Sequence, residues 1–158
     1  METTYRFNQA IMKLYNAFHD NTLNPESCTQ CAVGNILDNN DFWKHLSDNH
    51  GSLRLNYVGL VHQNLGRRFN GYTPLELLQI ETVFLKNCGY SLPLHYKGHK
   101  PNNPRDKEIL FHGLAAVVTQ LCKLDNIPNI MDCSKLFAYN LEDTIQEKSI
   151  LKNSVEIA

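Results

Sequence analysis

The sequence contains no run of 18 or more apolar residues, and this excludes a helix that spans a bilayer. It has no surplus of one charge either. Fifteen basic and sixteen acidic side chains leave a formal charge of -1, whereas a dedicated nucleic-acid binder carries a clear basic excess. The leading METTYRFNQAIMKLY has no continuous apolar stretch and no small-residue cleavage site, so no secretory signal is expected. Cysteine occurs without the number or rhythm of a disulfide scaffold: five residues, an odd count, at 28, 31, 88, 122 and 133. A small secreted domain would be denser and more regular in cysteine. These absences imply a cytoplasmic protein with free thiols, no membrane insertion and no nucleic-acid partner. A protein partner or a homo-oligomer is left open. No internal repeat, low-complexity tract or linker divides the chain.

What is present fits one domain. A chain of 158 residues can bury a real core. Phe7, Ile11, Leu14 and Phe18 recur at helical spacing and predict a helix over residues 4–19. A second helix is expected from Pro25 or Ser27 to about Leu37, with Cys28 and Cys31 in its first turn. Asp41 or Asn40 would cap a short helix FWKHLS, stopped near Gly51. Residues 55–69 read as a helix weakened by Gly59 and Gly66, with a short strand at 53–58 as the alternative. Thr73 and Glu76 form a T-x-x-E box with Pro74 at the first helical position, predicting a helix over 73–88 ended by Gly89. A long helix is expected from Asn103 or Pro104 to Leu124, with Asp106 in its first turn. Its Gly113, Ala115 and Ala116 would permit close packing. A short helix over 132–137 follows. The expected fold is all-α: a single compact domain of five or six helices over residues 1–140, with at most a minor strand and a polar, frayed tail at 141–158.

The chemistry is concentrated between Cys28 and His50. Cys28 and Cys31, then thirteen residues, then His45 and His50, give C-x2-C…H-x4-H. That spacing falls within the template for a four-ligand zinc site, because two thiolates and two imidazoles supply the donors that zinc prefers. A helical hairpin would make it feasible: the chain climbs about 9 Å from Cys31 to Leu37 and descends again, bringing His45 back level with Cys31. The stretch lacks the strands and basic recognition helix of a DNA-reading finger.

Other readings compete. A thiol at a helix N-terminus meets the positive end of the dipole, so Cys31 is a candidate nucleophile. Its base would come from His45, His50, His62 or His112. C-x2-C can also serve redox exchange, although no β-α-β pattern surrounds it here. His95 and His99 form a second ligand-like pair in a loop. His112 lies among apolar neighbours, as a hydrogen-bonded core histidine would. Arg67 and Arg68, and the group Lys97, Lys100, Arg105 and Lys107, would attract an anion or simply be solvated.

The run CAVGNILDNNDFWKHLSDNHGSLRLNYVGLVHQNLGRRFNGYTPLELLQIE resembles small bacterial proteins that carry the name of one component of the sodium-translocating NADH:quinone reductase. The resemblance covers most of residues 5–138 and implies a redox role in association with that membrane complex. The component so named combines a membrane anchor, a ferredoxin domain and a flavin/NADH reductase domain. This chain has no C-x4-C-x2-C and no G-x-G-x-x-G, so the resemblance transfers no functional residue.

Overall fold

Among the described residues, capped stretches of helical periodicity become six α-helices. The computed structural model describes residues 4–129 and 132–139. The helices are α1 (Tyr5–His19), α2 (Ala32–Ile36), α3 (Tyr57–Asn64), α4 (Pro74–Asn87), α5 (Lys107–Leu124) and α6 (Cys133–Leu136), with a 3-10 turn at Phe42–Leu46. The fold is all-α. Among the described residues there is no strand, and the alternative at 53–58 does not form. A lone bridge joins Phe69 to Tyr72. No described helix is long and apolar enough to cross a membrane. The tail expected at 141–158 lies outside the described residues.

The centre of the fold is the α4–α5 pair, which makes the most extensive helix–helix contact. Leu77, Ile80, Phe84 and Leu85 on α4 are buried, as are Leu114, Val117, Val118 and Leu121 on α5. The two helices run antiparallel: the Cys88 thiol, just after α4, donates to the carbonyl of Ile109 at the start of α5. Gly113 sets their separation. A Cβ there would stand 2.9 Å from the Phe84 ring and collide with the Cys88 sulfur. Ala115 and Ala116 are only partly buried, so the close approach rests on Gly113. α1 covers the pair with Phe7, Ala10, Leu14, Ala17 and Phe18. Ala10 and Ala17 let it lie close, while Ile11 packs only at the edge of the core.

Several expected boundaries move. Cys28 is not in a helix. Residues 25–30 form turns instead, with the Ser27 carbonyl accepting from the amides of Gln30 and Cys31. α2 therefore begins at Ala32, and Cys31 is its N-cap. α5 begins at Lys107 rather than near Pro104 because the Asp106 carboxylate accepts from the amides of Glu108 and Ile109. An aspartate gains more as a cap than inside the first turn. His112 is exposed rather than a core residue. Gly59 is the buried seat of α3 rather than a weakness in it. A Cβ at Gly59 would collide with the Leu46 carbonyl, so only glycine lets α3 lie against the 3-10 turn.

Arg6 fastens the far end of the α4–α5 pair. Its Nε donates to Asp125, just past α5, at 2.6 Å, and its Nη1 donates to the Gly71 carbonyl at 2.7 Å and to Glu76 on α4 at 3.2 Å. The guanidinium lies 4.5 Å from the centre of the buried Tyr72 ring. One side chain from α1 thus ties together the start of α4, the end of α5 and the loop between α3 and α4. Replacing Arg6 with Leu removes the cation from the Asp125 carboxylate, whose side chain is 3% exposed, and leaves it the Thr4 hydroxyl as a partner. Denaturant unfolding should register a loss of about 2–3 kcal/mol. The T-x-x-E box forms in full, with Thr73 accepting from the Glu76 amide and Glu76 accepting from the Thr73 amide. Thr73→Ala should lower stability by about 1 kcal/mol in the same assay, and unchanged stability would contradict the cap.

Candidate metal centre

Glu81 lies four residues after Leu77 and three before Phe84, so helical geometry turns it onto the core face of α4. It is 1% exposed. A carboxylate there is tolerated only with partners for its oxygens. Oε1 accepts from the Val33 amide in the first turn of α2 at 3.3 Å. Oε2 accepts from His50 Nε2 at 2.5 Å.

Cys31 caps α2 with its sulfur, which accepts from the Gly34 amide at 3.3 Å. The thiol donates to the Cys28 carbonyl at 3.8 Å. Gly34 is what allows this crossing. A Cβ on it would come within 2.5 Å of the Thr29 carbonyl carbon, so a larger residue would push the 28–29 backbone off α2. Asn35 completes the local lock, donating to the carbonyls of Gln30 and Cys31 at 2.9 Å each.

His50 arrives from the loop after the 3-10 turn. Its carbonyl accepts from the Leu94 amide at 2.8 Å. Gly51, with φ +87, turns the chain against Leu85 and Leu92 immediately afterwards. The Trp43 and His50 rings meet edge to face with 5.5 Å between their centres. Trp43 Nε1 donates to the Cys28 carbonyl at 2.9 Å. The single tryptophan thus walls the site and anchors the turn that precedes it.

The outcome is a cluster of three donors. A sulfur of Cys31, a ring nitrogen of His50 and a carboxylate oxygen of Glu81 all lie within 4.8 Å of one another. Of the four residues read from the spacing, this cluster contains Cys31 and His50. Cys28 sits half-buried in the turn before Cys31. His45 is on the exposed side of the 3-10 turn, where its carbonyl accepts from Asn56 Nδ2 at 2.8 Å. Of the proposed bases, His62 faces Arg67 and Phe69, and His112 is exposed. His50 alone among them belongs to the cluster with Cys31. His95 stacks on Tyr96 in an exposed loop. Glu81 escaped the spacing argument, yet it carried a signal: a carboxylate in the middle of the apolar stripe of α4.

Burial pushes the Cys31 thiol well above the ordinary cysteine range, and the Glu81 carboxylate pushes it further. The amide of Gly34 opposes this without overcoming it. Cys28 is also raised, first by burial and then by Glu81, with Lys44 acting in the opposite direction. The helix N-terminus therefore does not make Cys31 a thiolate at neutral pH. All five cysteines are free thiols. No family model, curated protein or solved structure matches the chain.

These environments rank the thiols by reactivity, since alkylation requires exposure and thiolate character. Under native conditions iodoacetamide should label Cys28 and Cys133, which are partly exposed, before Cys31, Cys88 and Cys122, which are buried. Peptide mass mapping over time reads this order. Fast labelling of Cys31 in the native protein would contradict the environment described.

Proposed function

We propose that this chain is a metal-stabilised binding or accessory protein with zinc held by Cys31, His50 and Glu81. The observation that carries the reading is the convergence of three donors of different chemistry within 4.8 Å. A thiolate, a neutral imidazole and a carboxylate are each established zinc ligands. Their charges also balance: the two anions neutralise a dication, which suits a buried position.

The geometry needs a small adjustment. Zinc bonds of about 2.0–2.2 Å at tetrahedral angles separate a nitrogen and an oxygen ligand by about 3.4 Å. His50 and Glu81 are 2.5 Å apart, sharing a proton. A metal would replace that proton and part the two atoms by somewhat under 1 Å. The fourth position would go to water or to Cys28, whose thiol is near enough to feel the Glu81 charge. His45 stands outside this set.

A thiol enzyme using Cys31, with His50 as base, is the competing reading. The sulfur is 0% exposed, and its raised pKa opposes attack on a substrate. Metal binding also needs the thiolate, so the burial is what discriminates: it leaves no room for a substrate at the sulfur and favours a ligand role over nucleophilic catalysis.

Protein purified without chelator should carry about one zinc per chain by native mass spectrometry and elemental analysis. Cys31→Ser and His50→Ala should each lose it. Stripping the metal should lower the melting temperature by roughly 5–10 °C. A metal-free protein that melts identically with and without chelator would leave Cys31, His50 and Glu81 as a polar network inside the core and would refute the proposal.

A further inference from the structure

α3 is mounted with its apolar side outward. Its one buried residue is Gly59. On the opposite side Tyr57 is 81% exposed and Leu65, just past its end, 62%, with Val58, Leu60 and Val61 also exposed. Leu53 before the helix is exposed, and so is Phe42, which packs on Phe69 beneath His62. A monomeric surface helix ordinarily turns such residues inward. A contiguous exposed patch of this kind marks a docking surface.

The charge around the patch says what docks. From Asn49 to Leu75 the chain carries Arg54, Arg67 and Arg68 and no acidic residue, although the whole chain is slightly acidic. Three carboxylates border the patch: Asp41 is paired with Lys44 and Glu76 with Arg6 and Arg68, while Asp48 bonds only to the neutral amide of Asn56 and keeps its charge, so Arg54 and Arg67 stand against one carboxylate. A second copy meeting this face through a two-fold axis would bring the same arginines together, and that repulsion opposes self-association. The apolar residues surround one projecting helix, and a soft anionic surface can envelop such a helix without a preformed groove.

We propose that the α3 face docks this protein on the surface of an anionic lipid membrane. Tyr57, Leu60, Val61 and Leu65 would enter the headgroup boundary, and Arg54 and Arg67 would meet lipid phosphates. An outward apolar helix flanked by basic residues is the usual form of interfacial attachment. This requires no spanning segment and is independent of the metal reading.

Co-sedimentation of the full chain with vesicles tests it. Binding is expected to equimolar phosphatidylglycerol and phosphatidylcholine, with much weaker binding to phosphatidylcholine alone. About 1 M salt, where the screening length is about 3 Å, should release most of the bound protein. Arg54→Gln should weaken binding by roughly fivefold, the equivalent of about 1 kcal/mol per basic residue. The double variant Tyr57→Ser with Leu65→Ser should weaken it by at least about tenfold. Both positions are exposed, and circular dichroism confirms that the variants retain the fold. Absence of binding to anionic vesicles at low salt overturns the proposal, as does binding that the double variant leaves intact. A dimer that Leu65→Ser dissolves, without vesicle binding, assigns the face to a second copy and also overturns it.

Discussion

A carboxylate in the core is the constraint around which the rest of the site is arranged. Glu81 cannot turn to solvent from the middle of α4, so the fold must bring partners to it. It does so with two segments. α2 presents the Val33 amide, and the loop after the 3-10 turn presents the His50 ring. Each is then fixed by its own backbone contacts: the Cys31 cap and the 28–29 crossing for α2, and the Leu94 bond and Gly51 turn for His50. An apolar residue at this position would leave the Val33 amide and the His50 nitrogen without their acceptor.

Arg6 plays the complementary part at the other end of the α4–α5 pair. There the geometry is that of a clamp, with one guanidinium shared by two carbonyls and two carboxylates. Between these polar centres lies the close-packed apolar α4–α5 interface. Hydrophobic burial supplies most of the driving force for that pairing, but it is non-directional. Arg6 and Glu81 supply direction, because a hydrogen-bonded charge tolerates little displacement.

The helical class and the T-x-x-E cap are legible because each depends on residues within one or two turns of one another. The C-x2-C…H-x4-H spacing led to two of the three donors in the observed cluster. It could not lead to Glu81, which lies thirty-one residues beyond His50. That meeting depends on how α2 and α4 pack, a long-range result that no local spacing encodes. α2 starts later than local propensity predicts for a related reason. Pro25 and Ser27 permit a helix, but the turns of residues 25–30 bond internally and cross Gly34, and this tertiary contact outweighs local propensity. Gly59 shows the same principle with the opposite sign. A residue unfavourable for an isolated helix is required here by the Leu46 carbonyl.

The crossing of residues 28–29 over Gly34 has a kinetic consequence. The Cys31 sulfur lies behind that backbone, which is fastened by the indole of Trp43 and by the Ser27 carbonyl. An ion or reagent bound for this sulfur must wait until the strap lifts. Its access is then limited by the opening of residues 24–31, a local unfolding event. Entry and exit both pass through that opening, so both are slow, while the strength of the bonds to the site still sets their ratio.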